Sequence, residues 1–229
     1  MKVYDARGNQ LDITGGIEAR LKGHSWSVLG DSISHPGLNN VNNKYWVWIN
    51  NRVGGMDIHN YGISGTRITN FSQRYNEMYY SDIITVFGGV NDWGQSNPTP
   101  LGVLGDVTND TFFGALDILC SGILTLFPKS LVVFITPLGN NGFNNWSTDK
   151  NALNLSIYDY ADAIRDVCAK YKIPVIDACR ISLLNPQIAD IKTECFVDGL
   201  HLNEHGHEVL SWIIEDELLK HYIPTIDND

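Results

Sequence analysis

The sequence predicts an α/β protein built on a five-stranded parallel sheet with helices connecting its strands. From residue 25 onward, apolar runs of strand length alternate with longer segments whose apolar residues recur at three- and four-residue steps. The length of 229 residues and the hydrophobic fraction of 43% fit one large domain with a sizeable core. No internal repeat, low-complexity tract or linker-like segment divides this pattern.

Five apolar runs are expected to form the sheet. Each has the length of a buried strand and is bounded by residues that favour turns. In chain order they cover residues 26–30, 56–60, 83–88, 131–136 and 174–177.

Four segments between and after these strands carry the periodicity of helices packed on a sheet. They cover residues 45–53, 111–127, 152–171 and 204–221. Residues 92–109 and 137–150 match neither period and are rich in Asn, Gly, Pro and Trp, so they are predicted to be long loops.

The first residues stand apart from this alternation. Residues 3–5 and 11–13 flank the turn-forming pair Gly8-Asn9, which predicts a short hairpin. We therefore expect residues 1–24 to be a hairpin-like N-terminal extension and residues 25–229 to be a single domain.

The charge and the hydropathy of the chain bear on its partners and its compartment. A formal net charge of -10 leaves no excess of Lys and Arg to neutralise phosphates, which argues against nucleic acid and anionic membranes as partners. No apolar run approaches the ~18 residues of a membrane span, and residues 1–23 lack the apolar core of a signal peptide. We expect a soluble protein, either cytoplasmic or secreted with its leader removed.

Cysteine spacing indicates neither a zinc knuckle nor a redox motif. Cys120, Cys168, Cys179 and Cys195 are widely spaced, and no two of them form a Cys-x-x-Cys pair. We expect reduced, buried thiols, with a disulfide between Cys179 and Cys195 as the alternative.

Polar and glycine-rich blocks follow the predicted strands, where ligands of open α/β sheets bind. The first block is Gly30-Asp31-Ser32, the second is the stretch NYGISG of residues 60–65, and the third is the stretch GGVND of residues 88–92. A fourth, the stretch DGLH of residues 198–201, precedes the last helix. All four blocks are expected to meet at one edge of the sheet.

The side chains of these blocks are the ones that acyl transfer requires. Ser32 is a poor nucleophile until a base removes its proton, and His201 has the near-neutral pKa suited to that task. Asp198 stands three residues before His201 and is expected to orient its ring. The backbone N–H groups of Ser32 and Gly65, with the side-chain amide of Asn91, are expected to form an oxyanion hole.

These four blocks, in this order, resemble those of the SGNH, or GDSL-type, hydrolase superfamily. The resemblance spans residues 25–221 and implies a flavodoxin-like, three-layer α/β/α fold. It implies Ser32, Asp198 and His201 as the catalytic triad, with Ser32, Gly65 and Asn91 as the oxyanion hole. It also implies no metal and no organic cofactor. Ile33 and Leu202 depart from the family's usual Leu and Pro at these positions, but neither departure removes a reacting group.

Each block also has an ordinary structural interpretation. Gly-Asp-Ser alone is a common turn, Asn91 alone is a common cap, and only the presence of all four blocks favours chemistry. His201, His205 and His207 suggest a zinc site, but Asn203 is expected to cap a helix that begins at residue 204, which leaves His201 outside it.

The predicted loops carry candidate substrate contacts. Trp93 and Trp146, together with Asp31 of the first block and Asp92 of the third, are predicted to bind the substrate, because Trp stacks on sugars while polar groups bond hydroxyls. Self-packing loops are the alternative.

We therefore predict a serine esterase that cleaves short-acyl, O-acetyl esters of a glycan or a small molecule. The alternatives are a lipase, lysophospholipase or thioesterase of the same superfamily, or a ligand-binding module that does not turn over. A nucleotide-binding fold is disfavoured because the first strand lacks a Gly-x-Gly-x-x-Gly turn after it.

Overall fold

The computed structural model describes residues 3–4, 10–11, 20–139 and 149–221. Its main sheet has five strands, all parallel, in the spatial order β4-β3-β5-β6-β7. Two further strands near the N-terminus, β1 and β2, pair with each other antiparallel. The strands are β1 (Val3–Tyr4), β2 (Gln10–Leu11), β3 (Ser25–Gly30), β4 (Asp57–Gly62), β5 (Ile83–Phe87), β6 (Leu131–Ile135) and β7 (Val175–Ile176).

Helices cover both faces of the sheet, which makes the predicted three-layer α/β/α fold. Residues of α2, α4 and α5 share one apolar core, and residues of α1 and α7 share the other. The helices are α1 (Tyr45–Val53), α2 (Ile68–Arg74), α3 (Val90–Gly94), α4 (Phe112–Leu126), α5 (Ile157–Tyr171), α6 (Ala189–Cys195) and α7 (Glu204–His221).

The central strand β5 shows why the sequences of the strands are unbroken apolar runs. Every residue of β5 is buried, and successive side chains enter opposite cores. Ile84 and Val86 lie in the core beside α4, whereas Ile83 and Phe87 lie in the core beside α7. A strand covered on both faces has no side for polar residues, so its sequence does not alternate.

Within residues 25–221, two predicted elements have a boundary that moves by more than one residue in the structure. The second strand runs from Asp57 to Gly62 rather than over residues 56–60. Helix α5 begins at Ile157 rather than at residue 152, because Ser156 and Asp159 form a capping box that fixes its first turn.

Three short helices, α2, α3 and α6, were not predicted. Each has seven or fewer residues, too few for an apolar period to show. Part of the predicted loop 92–109 therefore belongs to α3. Residues 140–148 of the predicted loop 137–150 lie outside the described residues.

The residues just before β3 pack onto the domain. Leu21 is buried in the core beside α7, and the Gly23 N–H donates to the carbonyl of Gly55 at 2.7 Å. The division of the chain at residue 24 stays a prediction.

All four cysteines are buried and free, so the alternative of a Cys179–Cys195 disulfide is wrong. Within residues 3–4, 10–11, 20–139 and 149–221, no helix is long and apolar enough to cross a membrane.

Candidate active site

Ser32 sits in a tight turn at the carboxyl end of β3. The carbonyl of Asp31 accepts the N–H groups of Ser34 and His35, at 3.2 and 3.0 Å. A Cβ on Gly30 would lie 2.3 Å from the Ser34 hydroxyl, so the turn requires glycine there. The turn aims Ser32 out of the sheet, although only 4% of this residue is exposed.

His201 joins Ser32 to Asp198. Its Nδ1 lies 2.7 Å from Asp198 Oδ2, and its Nε2 lies 3.1 Å from Ser32 Oγ. A carboxylate only accepts, so Nδ1 carries the proton and Nε2 is left to accept the Ser32 hydroxyl. This tautomer gives the ring a basic lone pair next to the hydroxyl.

Asp198 is held by its own loop. Its Oδ1 accepts the backbone N–H groups of Leu200 and His201, at 3.0 and 2.7 Å. Partial burial pushes the pKa of Asp198 up, but hydrogen bonds from the His201 ring and from these two N–H groups hold it below its ordinary value. The carboxyl group is therefore charged at neutral pH and fixes the ring of His201.

The loop that carries His201 is closed by backbone hydrogen bonds. Val197 N–H donates to the His201 carbonyl at 2.8 Å, and Asn203 N–H donates to the Cys195 carbonyl at 2.9 Å. Asn203 Oδ1 accepts the N–H of Gly206, which makes Asn203 the predicted N-cap of α7. His201 therefore lies outside the helix, as expected.

The other two histidines of this stretch face different surroundings. His205 is exposed and lies beside Glu208, whereas His207 is buried against Lys44 on α1's N-terminal side. In the part of the chain that the structure describes, no three metal-ligating side chains are grouped to hold an ion.

The Asn91 side chain reaches the residue that follows Gly65. Gly65 is exposed and has a φ of 76°, a conformation that favours glycine, and nothing lies within 4 Å of where its Cβ would be. The buried Asn91 side chain donates from Nδ2 to the carbonyl of Thr66 at 2.9 Å. One amide hydrogen of Asn91 remains for another acceptor.

Three of the four predicted substrate contacts are buried, which corrects that prediction. Asp31 and Trp93 are 1% and 0% exposed, and Asp92 is 0% exposed, so none has surface with which to touch a substrate. Trp93 Nε1 instead donates to the Leu155 carbonyl at 3.0 Å. Trp146 lies outside the described residues, and its role stays a prediction.

The buried carboxyl groups of Asp31 and Asp92 both have raised pKa values, and Asp92 also holds backbone near the candidate active site. Asp92 accepts the backbone N–H of Ile68 and the hydroxyl of Thr99, both at 2.9 Å, and thereby holds the start of α2. Burial raises the pKa of Asp92 to about 6 against these hydrogen bonds. Burial, with a smaller contribution from Asp92, raises the pKa of Asp31 to about 7.

Sequence reasoning missed Gln95 and Arg67. Gln95 Nε2 donates to Asn91 Oδ1 at 3.2 Å and to the carbonyl of Gly65 at 2.9 Å, and Arg67 Nε donates to Gln95 Oε1 at 2.9 Å. The four-residue step from Asn91 to Gln95 was the available signal, since such residues are neighbours on a helix.

Arg74 and Lys44 were also missed. Arg74 donates to the carbonyls of Tyr61 and Gly30 at 2.7 and 3.1 Å, and so ties the carboxyl ends of β4 and β3 together. Burial lowers the pKa of Lys44 to about 8. No motif marks either residue in the sequence.

This geometry defines the class of protein, an α/β/α hydrolase fold with a serine, a histidine and an aspartate in one hydrogen-bonded chain. Residues 28–209 match the model of the GDSL-like Lipase/Acylhydrolase family. The chain therefore belongs to this family and is an ester hydrolase. The predicted membership of the GDSL-type superfamily is confirmed.

Solved structures are similar over most of their length. A protein from Lactobacillus plantarum is 30% identical, with a TM-score of 0.81 over 88% of this chain and 99% of its own. A possible lipase from Chitinophaga pinensis is 22% identical, with a TM-score of 0.73 over 86% and 98%. An acetyl xylan esterase from Geobacillus stearothermophilus is 16% identical, with a TM-score of 0.63 over 90% and 100%. A comparison with curated proteins finds no significant match.

Proposed function

We propose that Ser32, His201 and Asp198 cleave carboxylic esters through an acyl-enzyme. The observation that carries this proposal is the chain of hydrogen bonds from Asp198 Oδ2 through the His201 ring to Ser32 Oγ, at 2.7 and 3.1 Å. Such a chain gives a serine both a base and a fixed direction of attack.

The first half of the reaction transfers the acyl group. Ser32 Oγ attacks the ester carbonyl carbon while His201 Nε2 takes the hydroxyl proton. Asp198 stabilises the imidazolium that forms. The bond from the carbonyl carbon to the alcohol oxygen then breaks, and His201 gives its proton to that oxygen as the alcohol leaves.

Water completes the cycle. It attacks the carbonyl carbon of the acyl-enzyme and loses a proton to His201, and the bond to Ser32 Oγ breaks as the carboxylic acid forms. His201 returns the proton to Ser32. In both halves the carbonyl oxygen becomes negative, and we propose that the N–H groups of Ser32 and Gly65 with the Asn91 amide donate hydrogen bonds to it.

We propose a short-acyl ester, an O-acetyl group of a glycan or a small molecule, as the substrate. The described residues flanking Gly65 and Asn91 support this choice, because they are mostly polar and at least partly exposed. They are Ser64, Thr66, Arg67, Gln95, Ser96 and Asn97. A long acyl chain needs apolar surface worth about 0.8 kcal/mol for each buried methylene. A surface of hydroxyl, amide and guanidinium groups favours a polar alcohol instead. The similar fold of an acetyl xylan esterase is compatible with this choice.

The test of the chemistry is Ser32→Ala with p-nitrophenyl acetate as substrate. The variant should lose turnover to the level of the uncatalysed reaction and should melt within a few degrees of the wild type. Ser182→Ala, at an exposed serine that the proposal does not place in the site, is the matched control and should keep full activity. A Ser32→Ala variant that melts normally and keeps wild-type turnover would end the proposal.

The test of the substrate is a p-nitrophenyl ester series from acetyl to palmitoyl. We expect kcat/KM to fall as the acyl chain lengthens. A steady rise toward palmitoyl would instead favour a lipase, and exposed Ile63 beside Gly65 would then be the first candidate contact. A protein that binds these esters without turnover would favour the ligand-binding module.

A further inference from the structure

We infer that Gln95 is a positioning residue that holds both non-nucleophile donors of the oxyanion hole in place. This inference rests on the proposed function, because it assumes that Gly65 and Asn91 receive the negative oxygen. The inference is drawn from a relay of hydrogen bonds. Arg67 donates to Gln95, and Gln95 donates to both Gly65 and Asn91.

Gln95 fixes which way the Asn91 amide points. Gln95 Nε2 donates to Asn91 Oδ1 at 3.2 Å, while Asn91 Nδ2 donates to the Thr66 carbonyl at 2.9 Å. Both ends of the amide are thus engaged, and the second hydrogen on Nδ2 is left for the substrate oxygen. If the amide rotated by 180°, its oxygen would meet the negative charge and oppose the reaction.

Gln95 also fixes the backbone at Gly65. Its Nε2 donates to the Gly65 carbonyl at 2.9 Å. Gly65 is exposed, has a positive φ and has open space where a Cβ would lie, so no packing on that side restrains it. A glycine is the residue most free to move, and an oxyanion donor must not move during the reaction.

Arg67 fixes Gln95 in turn. A guanidinium only donates, so the 2.9 Å contact of Arg67 Nε requires the oxygen of Gln95 to face it. The Gln95 nitrogen then faces Gly65 and Asn91, and its two hydrogens serve these two acceptors. Arg67 Nη1 lies 3.4 Å from the hydroxyl of Thr99, which anchors the far end of the relay.

Breaking the relay at Gln95 is expected to lower kcat and to leave substrate binding unchanged. An oxyanion forms only in the transition state, so donors that are poorly placed slow the chemical step and leave KM unchanged. Gln95→Met keeps the length of the side chain and removes its hydrogen bonds. We expect kcat to fall about 10-fold, the effect of one or two neutral hydrogen bonds, with KM within about twofold.

Two further variants separate hydrogen bonding from packing. Gln95→Glu keeps the shape and still accepts from Arg67, but it donates to neither acceptor, so kcat should fall at least as far as in Gln95→Met. Gln73→Ala, at an exposed glutamine of α2, is the matched control and should keep wild-type kcat. The pH midpoint of kcat should not move in the uncharged variants Gln95→Met and Gln73→Ala, because the relay does not touch His201.

A double-mutant cycle decides whether Gln95 acts through Asn91. In an Asn91→Ala background, Gln95→Met should cost less than it does in the wild type, and only its effect through Gly65 should remain. Full additivity of the two losses, or a Gln95→Met enzyme with wild-type kcat, would overturn the inference.

Failure of the proposed function would look different from failure of the relay. If the proposed function is wrong, Ser32→Ala and Asn91→Ala will both keep their activity. If only the relay is wrong, those two variants will lose activity while Gln95→Met and Gln95→Glu keep it. A Gln95→Met enzyme that loses kcat while Gln95→Glu, which keeps the shape of the side chain, retains wild-type kcat would assign Gln95 to packing and overturn the inference as well.

Discussion

Asp198→Asn should keep the shape of the loop that carries His201 while removing the ability of His201 to act as a base. The carboxylate accepts three hydrogen bonds, two from backbone N–H groups on Oδ1 and one from the His201 ring on Oδ2. An asparagine keeps an oxygen for the two backbone groups and turns its NH₂ toward the ring. Nδ1 of His201 must then accept, and the ring proton moves to Nε2, which faces Ser32 Oγ at 3.1 Å. The serine loses its base while the loop keeps its shape.

The size of the loss follows from how exposed the pair is. The template for such a change in serine proteases is a fall of about 10⁴ in kcat. The side chain of Asp198 is 49% exposed and that of His201 is 22% exposed, so water also stabilises the imidazolium. We therefore expect a loss of about 10³, with KM nearly unchanged, measured with an acetyl ester at pH 8.

The control for this variant is Asp110→Asn, at an exposed aspartate, which should keep full turnover. The stability of Asp198→Asn relative to wild type should also depend on pH. Because the pKa of Asp198 is lowered in the fold, its stabilising effect is present above its ordinary pKa of about 3.9 and is lost as the pH falls through the folded value. The melting temperatures should therefore converge in acid. Activity within threefold of wild type would refute the assignment of the ring tautomer to Asp198.

Three further predictions concern other parts of the site. Asn91→Ala should lower kcat by about 10²–10³ without a matching change in KM, because it removes one oxyanion donor. Asp31→Asn should gain stability relative to wild type as the pH rises from about 4 to 7, as shown by melting curves. Burial raises the pKa of Asp31 to about 7, so in this interval the folded state keeps a proton that the unfolded chain has already released. The wild type therefore loses stability as the pH rises, and the difference levels off above about pH 7. Gly206→Ala should lower the melting temperature, because its Cβ would lie 2.1 Å from the carbonyl oxygen of Cys195 and force α7 away from the loop of His201.

Each of these three has an outcome that contradicts it. Equal falls in kcat and rises in KM for Asn91→Ala would indicate lost substrate binding rather than lost transition-state stabilisation. A stability difference between Asp31→Asn and wild type that stays constant from about pH 4 to 7 would mean that Asp31 is charged throughout. A normal melting temperature for Gly206→Ala would mean that α7 adjusts without cost.

The strands and the side chains of the candidate active site were predictable from sequence because their signals are local. A buried strand has to be apolar, and the residue after it has to turn, so Ser32 and the block ending at Asp92 were placed at the sheet edge correctly. The hydrogen bonds of Ser32, His201 and Asp198 then agree with the expected arrangement. Helix α7 keeps its predicted bounds because Asn203 caps it.

The burial of Asp31, Asp92 and Trp93 was not predictable from the same signals. Polar and aromatic residues after a strand look alike whether they face a ligand or the protein. The outcome depends on where α2 and α3 pack, and both helices are too short to show a period. Asp92 is buried because it accepts the N–H that begins α2, a contact 24 residues away in sequence that no spacing rule reports.

The two halves of the site have separate supports, which bears on how its substitutions combine. His201 is held by the closed loop before α7, whereas Asn91 and Gly65 are held by Gln95. The turn of Ser32 has a third support, since the Ser34 hydroxyl bonds Tyr45 and the Ser34 carbonyl accepts from other side chains. No described hydrogen bond joins the Gln95 relay to the loop of His201. The fold losses in kcat from Gln95→Met and from Asp198→Asn should therefore multiply in the double variant. Each substitution disturbs only its own support, so neither changes the effect of the other.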